Sequence, residues 1–446
     1  MDLVLAKAMP EDKANAERAA SNVFAAAQGR LPGAGRIADI RARAFEAYER
    51  VGLPHRRVEE WKYTDLRVLM RDVLRLAEPP DASALRRAQA AVEQAAFEGA
   101  IKLVLVDGMF APNLSDVAKL GKGVDVQTLR EVLESSASDA MAGLVLSTTT
   151  DAMISLNTAM ATDGVVVTIA EGKALRRPLH VIHVSTTSSA SHFTRSYLHL
   201  GDGAHGTVVE SFVSAESACG YQANNVMIVL VGNQAGLSHL RVKADAADAV
   251  NISSEIIAVG SRAKLNLFDM IRGGAVSRYQ DFITLAGEGA ELCVNGVNLL
   301  MEKQHADTTL VVDHAAPHCV SRQNFRAVVD GAGRSVFQGR IIARPDAQKS
   351  DAKLTMRALL LSDQAEADNK PELEIFADDV KCGHGATSGG LDESLLFYLG
   401  ARGLSENDAQ ALLIRAFLGE AIEGIANANL RDFATSQTER WFKARR

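Results

Sequence analysis

A cysteine and a histidine stand two positions apart in the stretch ELEIFADDVKCGHGAT (372–387). If a strand continues through this stretch, Cys382 and His384 point to the same face, because successive side chains of a strand alternate between its two faces. A thiolate and an imidazole on one face could hold a soft or borderline metal ion. The pair supplies at most half of such a site, and a small buried cysteine beside a turn histidine would also explain it.

A second group of metal-ligating residue types lies in VDHAAPHCVSR, which contains His314, His318 and Cys319. Pro317 interrupts the strand pattern between the two histidines, because proline cannot donate a ladder hydrogen bond. We therefore expect these histidines to end a turn rather than to face a common metal ion.

No complete catalytic or metal motif accompanies these residues. Asp378 and Asp379 could act as carboxylate ligands or orient an imidazole, although solvated edge charges need no function. The chain lacks the GxxxxGK[ST] loop, a GxGxxG that opens a helix after a strand, the GxSxG nucleophile elbow and the HExxH motif. A structural zinc site normally takes four protein ligands. One or two soft ligands therefore favour a transient metal or cluster that a partner protein helps to hold.

The composition is that of an ordinary globular chain, with 446 residues, 47% hydrophobic and 23% charged. This length predicts two or three domains. A net charge of −7 and a pI near 5.9 give no electrostatic attraction to nucleic acid or to an anionic membrane. No apolar run approaches the ~18 residues that a membrane-spanning helix needs.

The N-terminus and the cysteines predict a cytoplasmic protein without disulfides. The start, MDLVLAKAMPEDKANAERAA, carries an acid at position two and only a four-residue apolar patch, unlike a secretory signal. The absence of any CxxC pair argues against a disulfide framework and for a reducing compartment. The four scattered cysteines are Cys219, Cys293, Cys319 and Cys382.

Residues 1–155 predict an N-terminal helical domain with a small β element. In GRIADIRARAFEAYERVGLP the apolar residues recur at helical spacing, and Gly52 and Pro54 supply the stop. The run IKLVLVDGMF predicts a hairpin around Asp107 and Gly108, and VQTLREVLE predicts a further helix.

Residues 156–388 predict a β-helix. Short β-branched runs such as GVVVTIA, LHVIHV and NNVMIVLV are separated by tight turns. Four of these turns begin at Gly201, Gly232, Gly260 and Gly287, at intervals of 31, 28 and 27 residues. Such repetition with almost no helix between the strands indicates a solenoid whose units bury their apolar faces against one another. A β-sandwich with coincidental turns is the alternative.

Residues 389–446 predict a helical domain. LDESLLFYLGARG begins with Asp392 as N-cap and ends at Gly403, and Ser405 with Asp408 begins the next helix in the manner of a capping box. We expect this αα-hairpin to close the end of the solenoid against edge-to-edge strand pairing. The basic and aromatic tail TERWFKARR is expected to be a frayed end, with a docking segment as the alternative.

Three segments resemble signatures of the SufB/SufD family, the scaffold subunits of the SUF iron–sulfur cluster assembly machine. The block CGHGATSGGLDESLLFYLGARGLSENDAQALLIRAFLGEAIE is the most specific and resembles the C-terminal signature of the SufD type. RRVEEWKYTDLR, which contains Trp61, looks like the N-terminal signature. SLNTAMATDGVVVTIAEG is similar to the beginning of the β-helix that SufB and SufD share. The resemblance thus touches all three regions of the chain.

The resemblance implies a mainly β fold: a right-handed parallel β-helix flanked by an N-terminal α-rich domain and a C-terminal α-helical domain. It implies a non-catalytic scaffold subunit that pairs with SufB through the β-helix and carries a SufC ATPase on its C-terminal helices. His384 would then lie at the SufB interface where the nascent iron–sulfur cluster is built, with Cys382 as the weaker candidate. SufC would hydrolyse ATP and shift the interface strands, which requires different SufC affinities for two states. The candidate SufC contacts are Leu396, Phe397, Tyr398 and Arg402.

The SufB type is the competing assignment within the family. SufB-like proteins carry a glutamate directly after the histidine, where Gly385 stands here, and an upstream cysteine near the position of Ala365. Both departures favour SufD. Sulfur-delivery proteins would then act through SufB, and a homodimer could form when the chain is alone, because similar strand edges can pair with themselves.

Other function classes predict different observations. A stand-alone metal-dependent enzyme on a β-helix predicts tight, stoichiometric metal in the isolated chain, and an adhesin-like solenoid needs an export signal. Flavin is associated with the family's complex, but the chain has no flavin motif. Four questions stay open: the source of iron and electrons, whether flavin binds, whether the chain forms a homodimer or a heterodimer, and whether Cys382 or the group His314, His318 and Cys319 ligates iron.

Overall fold

The computed structural model describes residues 20–135, 143, 145–146 and 149–445. The first 19 residues, on which the argument against a secretory signal depends, lie outside the described residues. Within the described part, no helix is both long enough and apolar enough to cross a membrane.

Helices occupy the N-terminal and C-terminal parts of the chain, as the sequence predicts. Before most of the strands lie α1 (20–27), α2 (Arg36–Val51), α3 (Leu66–Leu69), α4 (Ala82–Ala95), α5 (Leu129–Glu134) and α6 (Ala152–Met160). After the last strand lie α7 (Glu393–Ala401), α8 (Glu406–Ile422) and α9 (Ala428–Arg445). The expected N-caps form: the Asp392 side chain accepts from the N–H groups of Ser394 and Leu395, and Ser405 accepts from that of Asp408.

The strands between them form two sheets, and strands that follow one another in the chain alternate between the sheets from β4 onward. The odd sheet contains β1 (Ile101–Val106), β2 (Met109–Phe110), β5 (Leu179–Ser185), β7 (His205–Ser214), β9 (Gly236–Ala244), β11 (Lys264–Ile271), β13 (Glu291–Leu300), β15 (Val320–Val329), β17 (Asp351–Leu360) and β19 (Lys381–Gly389). The even sheet contains β3 (Val124–Thr128), β4 (Val165–Ile169), β6 (Ser191–Leu200), β8 (Gln222–Val231), β10 (Val250–Val259), β12 (Val276–Leu285), β14 (His305–His314), β16 (Arg334–Ala343) and β18 (Glu366–Ile375).

This arrangement is a parallel β-helix, which confirms the predicted fold class. From β4 onward each strand pairs in parallel with the strand two positions later in the chain, as β10 pairs with β12 and β11 with β13. The chain therefore crosses from one sheet to the other at every turn. The space between the sheets, here called the lumen, is filled in part by an apolar core to which both sheets contribute. The hairpin predicted at Asp107 and Gly108 joins β1 to β2, and β1 also extends the odd sheet by pairing with β5.

The recurring turn glycines have a steric cause. A Cβ on Gly287 would lie 2.0 Å from the backbone nitrogen of Ser261, and a Cβ on Gly260 would lie 2.9 Å from that of Asn233. Each turn thus stacks directly on the backbone of the preceding turn, and only glycine leaves room for this approach. This stacking explains the near-constant spacing seen in the sequence.

Most of the N-terminal helices cover the outer face of the even sheet, whereas α4 packs on β1 and β5 of the odd sheet. The Trp61 ring lies 3.9 Å from the Arg278 guanidinium on β12, and its indole N–H donates to the Asp151 carboxylate at 2.9 Å. Arg278 in turn donates to the backbone carbonyl of Glu60 at 2.7 Å. The tryptophan of the N-terminal signature therefore anchors its segment to the β-helix.

The C-terminal helices do not close the end of the solenoid, so that expectation was wrong. They pack on the outer face of the odd sheet, where Leu240, Phe268 and Met270 form an apolar surface that water would otherwise contact. The expectation of a frayed tail was also wrong, because α9 continues to Arg445 and Trp441 is buried within this interface. Consequently β18 and β19 stay at the ends of their sheets.

Candidate functional site

The Cys-x-His pair lies on the last strand of the odd sheet, at the mouth of the lumen. A strand does continue through the stretch, since β19 spans Lys381–Gly389. Cys382 stands opposite Ala352 of β17, and His384 stands opposite Leu354. Both β17 residues belong to the apolar core between the sheets. The two candidate ligands therefore share the inward face of β19, as the period of two predicts.

The opposite side of this mouth is formed by β18. Asn369 donates from its side-chain amide to the Ser388 hydroxyl of β19 at 3.1 Å, which shows that the two end strands face each other across the lumen. β18 pairs only with β16 and β19 only with β17, so each leaves one edge without a strand partner among the described residues. Ile375 and Phe376 add exposed apolar surface at the end of β18. The mouth therefore offers two free strand edges and a partly exposed apolar surface.

The two ligands differ in exposure and in chemistry. Cys382 is half-buried, and burial, with a smaller contribution from Asp351, raises the pKa of its thiol above the ordinary value. A metal ion would have to displace the thiol proton before the sulfur could bind it. His384 is exposed, and no described residue holds its imidazole by a side-chain hydrogen bond. His384 is thus the more accessible ligand.

The nearby carboxylates do not complete a site within this chain. Asp379 forms an ion pair with Lys349 and its backbone N–H donates to the Gln348 side chain at 2.9 Å. In the described part of the chain, the only group of three His, Cys, Asp or Glu ligand atoms close enough to share a metal ion lies elsewhere. Within the described part of the chain, Cys382 and His384 therefore have no third ligand atom near enough to share a metal ion with them.

The second predicted group does not converge. His314 is buried at the end of β14, where its Nε2 lies 2.8 Å from the Ser321 hydroxyl, and burial lowers its pKa to about 4. His318 is exposed in the following turn, with φ at 60°. Cys319 is buried in the apolar core. Each residue has a different environment, so the histidines do not face a common metal ion. His318 lies in the expected turn, whereas His314 is the last residue of a strand.

A second exposed feature is α7, which has no fully buried residue despite its apolar sequence. Phe397 is 80% exposed and Tyr398 is 52% exposed, and the Arg402 guanidinium lies 4.9 Å from the Tyr398 ring. Leu396 is half-buried, whereas Leu395, which the sequence reasoning did not select, is exposed. The "α7 surface" is defined here as Leu395, Phe397, Tyr398 and Arg402.

Sequence reasoning missed a group of charged side chains buried inside the lumen. The "lumen cluster" consists of six fully buried residues from both sheets: Glu210, His239, Arg241, Glu255, Asp269 and Asp281. Arg241 is at its centre, bound to both oxygens of Asp269 at 2.7 Å and to one oxygen of Asp281 at 2.6 Å. The available signal was the alternation of apolar and polar residues in LSHLRVKA. Such alternation normally indicates a strand whose polar side chains lie in solvent, so it did not predict buried charges.

Comparisons with known proteins agree with these features. Residues 183–417 match the SufBD core domain of the SUF system for FeS cluster assembly, and residues 31–181 match the SufBD protein N-terminal region. The chain is 31% identical to the iron-sulfur cluster assembly protein SufD of Escherichia coli, over 86% of this chain and 88% of that protein. It is 31% identical to an iron-sulfur cluster assembly SufBD family protein of Synechocystis, over 85% of each. A chloroplastic protein of Arabidopsis thaliana is 28% identical over 65% of this chain and 62% of its own length.

Proposed function

The chain belongs to the SufBD family of the SUF iron–sulfur cluster assembly system, and we propose from this premise that it is the SufD-type scaffold subunit of a SufBCD complex. In this proposal it pairs with SufB through β18 and β19, and the nascent cluster is built where the two subunits meet. His384 supplies one ligand from this chain and Cys382 is the weaker second candidate. The cluster is cargo that the two subunits share transiently, and ATP hydrolysis belongs to SufC.

The observation that carries the proposal is the open mouth of the lumen with Cys382 and His384 on its inner face. Unpaired strand edges normally invite pairing with another chain, and proteins that stay monomeric cover or charge them. Here the C-terminal helices leave both end strands accessible. A second β-helix docked on these strands would continue both sheets, cover the core and bring its own ligands to His384.

The α7 surface is the proposed docking site for SufC. An apolar helix without a fully buried residue exposes surface that a soluble partner would remove from water. Phe397 is the most exposed of its aromatic residues, and Arg402 and Tyr398 provide the arginine and tyrosine that are enriched at interaction hot spots. The proposal also includes a cytoplasmic location, which the four free cysteines support.

Co-expression with the SufB and SufC proteins of the same genome tests the assembly. We expect one copy of this chain, one SufB and two SufC to co-purify, with labile iron, as measured by native mass spectrometry and metal analysis. Ser388→Pro on β19 should remove the SufB pairing, because proline lacks a donor for the edge. Recovery of the lone chain with tightly bound metal at the mouth would contradict the scaffold role and favour the stand-alone enzyme.

Phe397→Asp is expected to weaken SufC binding by about 30-fold or more, because a buried aromatic anchor at an interface typically contributes 2 kcal/mol or more. Binding of purified SufC to the full chain is measured by calorimetry. Val68→Asp is the matched control, since Val68 is also a strongly exposed apolar residue but lies on α3. Equal SufC affinity of the Phe397→Asp variant and the control would exclude the α7 surface as the docking site.

A further inference from the structure

Three members of the lumen cluster meet across the two sheets. Glu210 lies on β7 and His239 on the adjacent β9, both in the odd sheet, and Glu255 lies on β10 in the even sheet. One ligand atom from each lies within 4.8 Å of the other two, and all three residues are buried. No cysteine takes part.

The separation between His239 and Glu255 is compatible with a shared metal ion. His239 Nδ1 lies 3.3 Å from Glu255 Oε1 but forms no hydrogen bond with it. Two ligand atoms at about 2.1 Å from a tetrahedral ion are separated by about 3.4 Å, so the observed separation matches one edge of such a site.

The unpaired atoms of these residues point to a missing ligand. Among the described residues, neither ring nitrogen of His239 and neither carboxylate oxygen of Glu255 has a hydrogen-bond partner, although both residues are fully buried. Buried polar groups are almost always paired, and an exception calls for an explanation such as an ion. Arg241 does not satisfy Glu255, because its NH1 lies 3.4 Å away without hydrogen-bond geometry and its other nitrogens bind Asp269 and Asp281.

The local charge balance also calls for a cation. The lumen cluster contains four carboxyl groups and one guanidinium. Lys243 is the nearby ammonium, and it donates to the backbone carbonyls of Asn251 and Arg278 rather than to a carboxylate.

The ligand types restrict the kind of ion. One imidazole and two carboxylates suit borderline divalent ions of the first transition row, and the absence of a thiolate disfavours Cu(I). His183 lies 2.9 Å from Glu210 Oε1 with the imidazole donating, and such a contact would orient Glu210 as a ligand. We propose that Glu210, His239 and Glu255 bind one divalent cation, such as Zn²⁺, Fe²⁺ or Mn²⁺, inside the lumen. This site shares no residue with the mouth, so it does not depend on the proposed cluster-building role of His384.

Co²⁺ serves as the probe, because its absorption spectrum reports the ligand types. The full chain is produced in minimal medium supplemented with Co²⁺, so that the ion is present while the lumen forms. We expect close to one Co²⁺ per chain, visible d–d bands and no thiolate-to-metal charge-transfer absorption. Glu255→Gln and His239→Gln should each reduce the bound Co²⁺ by about tenfold or more, with folding checked by circular dichroism.

The double variant Cys382→Ser/His384→Ala distinguishes the lumen site from the mouth and should retain the Co²⁺ and its spectrum. Thiolate absorption that disappears in this double variant would place the ion at the mouth and overturn the proposal. Wild-type protein without Co²⁺ would overturn it as well, as would undiminished Co²⁺ in a folded Glu255→Gln variant. Should the lumen variants fail to fold, the wild-type spectrum together with the double variant still decides between the two sites.

Discussion

His384→Ala is expected to reduce cluster assembly on the reconstituted SufBCD complex by about tenfold or more, while the complex itself still forms. His384 is exposed on the inner face of β19, and the pKa of the neighbouring Cys382 thiol is raised by burial, so the imidazole is the main ligand that this chain can offer. In the proposed complex, its removal would take away the ligand that this chain contributes at the SufB interface. The assay follows iron–sulfur absorption and acid-labile sulfide on the purified complex after anaerobic addition of iron, a sulfur source and ATP.

The matched control is His205→Ala, which removes an exposed imidazole from the beginning of β7, far from β19 in the order of the odd sheet. We expect this variant to assemble clusters at the wild-type rate. Undiminished assembly by His384→Ala would remove His384 from the proposed role. A complex that no longer forms would instead assign His384 a structural role in the SufB interface.

Arg241→Met is expected to lower the free energy of unfolding by about 3–5 kcal/mol, the cost of removing one partner from a buried ion pair. The Arg241 guanidinium is fully buried, binds Asp269 and Asp281, and stacks 4.4 Å from the Tyr279 ring. Burial lowers the pKa of Arg241, but these carboxylates outweigh it and raise that pKa above its ordinary value. Methionine of similar length would leave both carboxylates without their cation. Urea denaturation followed by circular dichroism measures the loss.

The free energy of unfolding that Arg241→Met loses should increase as pH rises. Burial already raises the pKa of Asp281 in the wild-type protein, and removal of Arg241 raises it further. A carboxyl group whose pKa is higher in the folded than in the unfolded state binds more protons when folded, so its contribution to stability falls as pH rises. We therefore expect Arg241→Met to lose more stability at about pH 8 than at about pH 5.5.

Arg322→Met provides the control for this second prediction. Arg322 pairs with Asp351 at 2.8 Å, but both side chains are more than 40% exposed. Such a surface pair contributes less than about 1 kcal/mol, and its loss should show little dependence on pH. If Arg241→Met and Arg322→Met lost similar free energies of unfolding, the buried position of Arg241 would add nothing to the strength of its ion pairs.

The local features of the chain were predictable from the sequence because each depends on neighbouring residues or on a repeat. Asp392 and Ser405 identify their helix starts because an N-cap bonds N–H groups only two or three residues away. Gly260 and Gly287 mark the stacked turns because the steric demand recurs in every turn. Cys382 and His384 share a face because the strand period is two.

The features that depend on contacts distant in sequence appear only in the tertiary structure. Trp441 looked like part of a frayed tail, yet it is buried because α9 covers the apolar outer face of the odd sheet. The open mouth could not be predicted either, because it results from where the C-terminal helices pack. The sequence shows that a strand has two faces but not what lies against each of them. Both faces of β9 are buried, so Arg241 does not reach solvent. It lies on the lumen face, where it is paired with acids from β11 and β12.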